Sequence, residues 1–230
     1  MQIVILAAGL GSRLQGGKGP KALTALADGN TILQFQLEQI GHYANLSEVV
    51  VVVGYQQERV RTAFPQLRYV ENPDYASQNT SKSLLRAIQD MEGEDLLWLN
   101  GDVVFHHRVL KPLLERRTNC MIVNTALVGS EEVKYRTDGT GLLLEVSKQV
   151  KQPEGEAVGL NFFSGADLPA LQQALQQCLD QDYFEKAIEI CIQSGCKIWA
   201  KPIAKTDCIE IDFLDDLQAA NELIKSWVQE

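Results

Sequence analysis

The sequence predicts an α/β protein of three layers, with helices on both faces of a mixed but mostly parallel central sheet. Three observations carry that prediction. Short apolar runs alternate with stretches whose apolar residues recur at helical spacing, and the connections between them are short. One run, Val49–Val53, is five consecutive valines, as expected of a strand buried on both faces. The chain has no internal repeat, low-complexity tract or linker, so its 230 residues read as one domain, 1–230.

The elements follow in order. Ile3–Leu6 is the first strand, and Leu33, Leu37, Ile40 and Ala44 mark one face of a helix. The Val49–Val53 strand precedes a short helix near Gln57–Phe64 and a strand near Leu67–Val70. Leu84, Leu85, Ile88 and Met91 line the next helix, and Asp95–Leu99 is another central strand. The second half is less regular. Strands are expected near Cys120–Val128, Gly141–Val146 and Ala157–Phe163, then helices from Asp167 to Ser194 and a late strand at Lys197–Ile203. A closing helix from Leu214 to Val228 turns Leu217, Ala220, Leu223, Ile224 and Trp227 inward.

Composition narrows the function classes. Apolar content of 45% supports a substantial core, and no stretch is long enough to span a bilayer. A net charge of −9 argues against a nucleic-acid or anionic-membrane surface. No leader peptide is apparent, because the chain opens directly on a strand. Five cysteines, odd in number and without a C-x-x-C pair, read as reduced thiols of a cytoplasmic protein. The three histidines give no zinc pattern. On a helix, adjacent His106 and His107 would diverge by roughly 100°, so they read as surface residues near a helix start.

The chemistry is expected where the first strand empties into Leu6-Ala7-Ala8-Gly9-Leu10-Gly11-Ser12-Arg13-Leu14, followed by Pro20-Lys21. Small residues and glycines let backbone approach a ligand, and consecutive exposed N–H groups form an anion trap. Arg13 and Lys21 add fixed positive charge. The glycines alone are equally a flexible turn. Gly9-x-Gly11 lacks the third glycine of a dinucleotide fingerprint, and no Gly-Lys-Ser/Thr ending is present. Gly16-Gly17-Lys18-Gly19 runs into Pro20, so no helix opens there; Lys18 is a solvated lysine or a mobile phosphate contact.

Downstream segments sharpen the reading. In an open α/β sheet, ligands bind outside the carboxyl ends of the strands. Asn72-Pro73-x-Tyr75 through Asn79-Thr80-Ser81-Lys82-Ser83-Leu84, Asn100-Gly101-Asp102 and Glu210-Ile211-Asp212 all converge there. Asp102 and Asp212 could supply the two carboxylates that Mg²⁺ takes alongside phosphate oxygens and water. The plainer reading makes Gly101-Asp102 a turn and Asp212 a helix cap.

The order Leu-Ala-Ala-Gly-x-Gly-x-Arg-Leu, Pro-Lys-Ala-Leu, Asn-Pro, Ser-Leu, Gly-Asp, Glu-Ile-Asp resembles the nucleotidyltransferase superfamily that activates sugar phosphates and related alcohols, over Met1 to about Asn221. Asn72-Pro73-x-Tyr75 with Asn79-x-x-x-Ser83-Leu84 is most similar to the choline-phosphate and phosphonate cytidylyltransferases. The resemblance implies a Rossmann-like, nucleotide-diphospho-sugar transferase-like fold. Residues up to about 118 would bind nucleotide; about 119–205 would bind the acceptor and complete the sheet.

It also implies attack by a phosphorylated or phosphonate acceptor, such as phosphocholine, on the α-phosphorus of a nucleoside triphosphate, CTP by preference. Arg13 and Lys21 are the implied catalytic residues. Leu6, Ala7, Ala8, Gly9, Gly11, Ser12, Arg13 and Gly101 would bind the nucleotide, Asn79 and Ser83 would meet the pyrimidine edge, and Asp102 and Asp212 would hold Mg²⁺. Asn79 and Ser83 are equally helix caps. The loop from Gln15 to Gly19 departs from the Pro-Leu-Thr loop of the larger sugar enzymes and lacks its threonine.

An acceptor pocket would come from about 127–151 and Gly159–Ser164, where Asn161 loosely resembles an acceptor-contacting asparagine. A quaternary ammonium would want aromatic faces; Tyr135, Phe162, Phe163, Tyr183 and Trp199 are available, though core packing is their plainer role. Three alternatives stay open: a sugar-1-phosphate nucleotidyltransferase using UTP, dTTP or GTP, a non-catalytic nucleotide-binding regulatory subunit, and a glycosyltransferase. The last favours Asp-x-Asp after the central strand, where this chain has Asn100-Gly101-Asp102. Oligomeric state is not legible, and a homodimer is compatible with the sequence.

Overall fold

A computed structural model describes residues 1–11, 14, 19–125, 128–129 and 132–227. The chain runs β1 (Gln2–Ala7), α1 (Ile32–Gly41), β2 (Val49–Val53), α2 (Gln57–Ala63), β3 (Arg68–Glu71), α3 (Thr80–Ile88), β4 (Leu96–Asn100), β5 (Val103–Phe105), α4 (Lys111–Arg116) and β6 (Cys120–Asn124). It continues through β7 (Lys134–Thr137), β8 (Leu143–Ser147), β9 (Gly155–Phe163), α5 (Leu168–Gln177), α6 (Phe184–Gln193), β10 (Trp199–Pro202), β11 (Cys208–Glu210) and α7 (Leu214–Trp227).

The main sheet has the order β10-β6-β9-β4-β1-β2-β3, with β7 on β9 and β8 on β7. β1 lies parallel between β2 and β4, and β2 is parallel to β3. β9 runs antiparallel between β4 and β6, so one reversed strand joins the two halves. β5 and β11 form a separate antiparallel ribbon.

Strand alternation sorts the core into layers. Ile3, Ile5, Leu97 and Leu99 face Leu33, Leu37 and Ile40 of α1 and Val60 of α2. On the opposite face Val4, Leu96, Trp98 and Phe163 meet Leu84 and Ile88 of α3, Leu171 of α5 and Phe184 and Ile188 of α6. A third cluster seats α7 through Ala220, Ile224 and Trp227 on Leu14, Phe35, Val104 and Ile211.

Several sequence boundaries are corrected. Ala44 and Met91 fall in turns just beyond α1 and α3, because their apolar side chains pack without the backbone remaining helical. The helices expected over 167–194 are present as α5 and α6, divided where the backbone at Cys178 turns extended and the Asp182 carboxylate ties back to the Leu179 N–H at 2.7 Å. The strand expected to reach Val128 ends at Asn124. β5, β7 and β11 were not expected at all; each is only three or four residues long, too short to show a periodicity. All five cysteines are free thiols.

Candidate active site

The site is built at the carboxyl ends of β1 and β4. Their parallel register puts Leu6 beside Asn100. The Gly101 N–H donates to the Leu6 carbonyl at 2.9 Å, and a Cβ at Gly101 would stand 2.7 Å from that oxygen. Only glycine lets the two strand ends approach this closely, and that contact fixes where Asp102 emerges. Gly11 adopts φ +59° against Lys21, whose Cβ lies 3.1 Å from the position a Gly11 Cβ would take. Gly11 is thereby held against the lysine. The Ala8 carbonyl accepts from the Tyr55 N–H at 3.0 Å, while Gly9 and Leu10 are exposed.

Lys21 begins a 3-10 turn after Pro20. Its Nζ donates to Asp102 Oδ2 at 2.8 Å and to Asp212 Oδ1 at 2.6 Å. Burial works against the ammonium, yet the two carboxylates outweigh it and raise its pKa above the ordinary lysine value. Asp212 is no mere helix cap: its side chain turns to Lys21, while Asp216 Oδ2 accepts from the Asp212 and Phe213 N–H groups.

Glu210 completes the acidic group. Oxygens of Asp102, Glu210 and Asp212 lie within 4.8 Å of one another. The charge of Asp102 pushes the Glu210 carboxyl well above the usual range, with desolvation and Asp212 adding and Lys21 opposing. Glu210 keeps solvent exposure, so its shift is that of a crowded group at a site mouth. Asp102 Oδ1 is buried without a partner. Three convergent carboxylates with one orphaned oxygen fit a hard, oxygen-seeking divalent cation such as Mg²⁺.

Sequence reasoning reached Asp102 and Asp212 but assigned nothing to Glu210. Its position two residues before Asp212 was the available signal, because alternate residues of an extended segment share a side. Gln36 was also missed. This fully buried side chain of α1 donates through Nε2 to the Asn100 and Val103 carbonyls, both at 2.8 Å, and pins the turn that carries Asp102.

Asn79 and Ser83 sit at the start of α3. Asn79 accepts from the Thr80 N–H at 2.8 Å and donates to the Gln181 carbonyl; the Ser83 hydroxyl accepts from Asn72 Nδ2 at 3.0 Å, within the core. Both side chains therefore hold structural bonds in the unliganded protein. Ser12, Arg13 and Lys18 lie outside the described residues, as does Leu127 of the expected acceptor region. Tyr135, Phe162 and Phe163 are buried in the core clusters, while Tyr183 is exposed with the Lys148 ammonium 5.1 Å above its ring.

His106 and His107 lie where expected, at the start of a short helical turn that His106 caps and His107 begins. His42, His106 and His107 form one stack, with centroids 4.1 Å and 4.5 Å apart, because residues 106 and 107 enter a short 3-10 turn from extended backbone. Burial, then the neighbouring His42, His106 and Arg108, lower the His107 pKa.

Comparison with known proteins bears on this geometry. The model of the MobA-like NTP transferase domain matches residues 3–177. A CMP-5'-(3-aminopropyl)phosphonate synthase of Streptomyces rubellomurinus is 31% identical over 222 residues; the match covers 86% of this chain but 35% of that protein. The UTP–glucose-1-phosphate uridylyltransferase AglF of Haloferax volcanii is 29% identical over 227 residues, covering 92% of this chain and 88% of its own. Among solved structures, the CTP:phosphocholine cytidylyltransferase LicC of Streptococcus pneumoniae superposes with TM-score 0.78 at 16% identity, over 97% of this chain and 98% of that one. The inositol-1-phosphate CTP transferase of T. maritima gives 0.81 at 17%, over 98% and 95%. These structural likenesses show a shared nucleotidyltransferase fold, and the sequence match extends through β1, the glycine loop and β4. The chain belongs to the MobA-like NTP transferase domain family.

Proposed function

We propose that this protein transfers the nucleotidyl group of a nucleoside triphosphate, CTP by preference, to a small phosphorylated or phosphonate acceptor, with release of pyrophosphate. The observation that carries the reading is the bridge of Lys21 to Asp102 and Asp212, beside Glu210 and under the glycine loop. A fixed cation and a divalent-metal ligand set at the carboxyl ends of β1 and β4 are what two reacting anions require.

The acceptor oxygen is already ionised near neutral pH, so no general base is needed. It attacks the α-phosphorus, a new P–O bond forms, and the bond to the β-phosphate oxygen breaks as pyrophosphate leaves. Lys21 stays protonated among its carboxylates and can turn its N–H donors to the α-phosphoryl oxygens as the phosphates compete for it. The backbone from Leu6 to Gly11 receives the nucleotide; Arg13 is the proposed partner of the triphosphate and Ser12 a proposed nucleotide-binding residue. Gly101 lets the chain pass close to it, and Asn79 and Ser83 are the proposed readers of the base. Asp102, Glu210 and Asp212 would hold Mg²⁺, which when bound supplies positive charge against the phosphates.

CTP is preferred on the strength of the Asn79–Ser83 segment and the Streptomyces relative. The Haloferax relative favours a second reading, a sugar-1-phosphate substrate with UTP. Pyrophosphate release with Mg²⁺ tests both, crossing CTP, UTP, dTTP, GTP and ATP with phosphocholine, 2-aminoethylphosphonate, glycerol phosphate, inositol phosphate and hexose 1-phosphates. Turnover with CTP and a non-sugar acceptor is expected. Turnover confined to UTP, dTTP or GTP with a hexose phosphate would favour the second reading.

A further inference from the structure

Outside the acidic centre, the end of α6 brings two thiols together. The Gly195 N–H donates to the Ile192 carbonyl at 3.0 Å, and the Cys196 N–H donates to the Cys191 carbonyl at 2.9 Å. With Gly195 at φ +92°, these two bonds are the left-handed glycine stop that closes many helices. In such a stop the residue after the glycine and the residue five before it turn their side chains toward each other, and apolar groups frequently meet there. Here both positions are cysteines, and their thiols are hydrogen-bonded to each other.

The two differ in access. Cys191 is 1% exposed and packs with Cys178, Ile188 and Ile198, whereas Cys196 is half-buried at the edge of that cluster. Burial pushes the Cys191 thiol up to about 12, with Cys196 adding. Burial and the Asp167 charge also raise Cys196, but its bond from Cys191 favours the thiolate. Cys196 is therefore the sulfur an oxidant reaches, with Cys191 directly behind it. Cys178 is near enough to act on Cys191, yet its own Sγ donates to the Ala174 carbonyl at 3.4 Å. Among the described residues only the acidic centre gathers three metal-ligating atoms, so the thiol pair lacks the further ligands of a thiolate metal site.

We propose that Cys191 and Cys196 form a reversible oxidation site, at which a low-molecular-weight disulfide such as oxidised glutathione converts the two thiols into an intramolecular disulfide across the helix stop. A disulfide needs backbones a few ångströms apart and side chains aimed at one another. The stop supplies the first through the Cys196–Cys191 backbone bond, and the contact between the thiols supplies the second. The Cys196 thiolate attacks one sulfur of the oxidant; a mixed disulfide forms and one glutathione thiolate leaves. Cys191 then loses its proton and attacks the Cys196 sulfur, so the protein disulfide forms and the second glutathione thiolate leaves. Two protein thiols are oxidised, one glutathione disulfide is reduced, and the protons pass to the departing thiolates. Deprotonation of Cys191 makes the closing step faster as pH rises.

The test equilibrates the full chain with defined ratios of reduced and oxidised glutathione at pH 8, folded and in concentrated urea, followed by acid quench, alkylation and tryptic mass spectrometry. Both cysteines fall between Lys186 and Lys197 and share one tryptic peptide. The closed form reads as that peptide unalkylated and lighter by two hydrogens, with Cys120, Cys178 and Cys208 alkylated. Its equilibrium constant should be at least about tenfold greater in the folded chain than in urea, because a disulfide that stabilises a fold by the usual amount is favoured by that fold to the same degree. Cys191→Ala should stop at glutathione on Cys196, and Cys196→Ser should leave Cys191 unmodified. A ratio near one, glutathione retained on wild-type Cys196, or a bond to Cys178 overturns the proposal. The folded-to-urea ratio needs no variant, so it decides even where Cys191→Ala does not fold, and none of these readouts depends on nucleotidyl transfer.

Discussion

Lys21 Nζ lies between Asp102 Oδ2 and Asp212 Oδ1, at 2.8 Å and 2.6 Å, so one ammonium ties the end of β4 to the segment that follows β11. It occupies the side of the acidic group that a divalent cation would share. Lys21→Ala should lower turnover about 10²–10³-fold, the scale for losing one preorganised donor to a developing charge. The same variant should bind Mn²⁺ more tightly than the wild type in the absence of nucleotide, because a competing cation is gone. Steady-state kinetics and Mn²⁺ titration followed by electron paramagnetic resonance check the two halves.

Asp102→Asn and Glu210→Gln should each weaken Mn²⁺ binding and cut turnover by about 10²-fold or more while the protein stays folded, on the same scale of charge stabilisation. The equal expectation for Glu210 is the sharper one, since nothing but its convergence with Asp102 and Asp212 singles it out. Wild-type activity in Glu210→Gln would remove it from the ligand set. Chelation of divalent cations should silence the wild type, and Mg²⁺ should restore it.

Gln36 acts at a distance from substrate by holding the Asn100 and Val103 carbonyls. Gln36→Leu leaves both without this donor and should cost about 2–3 kcal/mol of stability. Turnover should fall through kcat more than KM, because the displaced group is Asp102. Urea unfolding and kinetics on the folded fraction separate the effects.

Asn79→Ala and Ser83→Ala divide base reading from structure. Losing the Asn79 cap should cost about 1 kcal/mol. Losing the Ser83 hydroxyl strands the buried Asn72 amide at a cost of about 1–3 kcal/mol. If these side chains also meet the pyrimidine edge, the ratio of CTP to UTP turnover should drop. A stability loss with an unaltered ratio would confine both residues to capping and packing.

Glu185 gives a dependence on pH. Its folded pKa, about 7, lies above the unfolded carboxylate value, so the folded state holds the proton more firmly. The resulting stability is fully present below about pH 4 and is lost as pH rises through 7. The Lys148 charge favours ionisation of this carboxyl, and the charge of Glu185 in turn raises Glu210. Glu185→Gln keeps the shape of the neutral acid. Thermal melts of the ligand-free protein should show the variant gaining on the wild type between pH 5 and pH 8, up to about 3 kcal/mol. A constant difference across that range would contradict the assignment.

The long buried strands and the start of the glycine loop were legible because their signals are local: Val49–Val53 is uniform, and Ala8-Gly9 follows β1 directly. Asp102 and Asp212 were legible as carboxylates after strands. What stayed hidden depends on contacts between distant positions. Gln36 looks like an ordinary helix residue until α1 is laid against the Asn100–Val103 turn, and His42 gives no sign of meeting His107. The orphaned amide of Asn161 is invisible in sequence, since its meaning is the lack of a partner. β5 and β11 are ordered by pairing with each other, Phe105 against Cys208, positions far apart in the chain.

That ribbon sets an order in time. β5 is made soon after Asp102, but its partner Cys208–Glu210 is made near the end of the described chain, with Asp212 just after it. Every strand of the seven-strand path has by then been synthesised. A nascent chain that stops short of Cys208 holds the glycine loop, Lys21 and Asp102 but only one of the three carboxylates. Synthesis through 212 is thus required before the newborn protein can acquire its complete acidic centre.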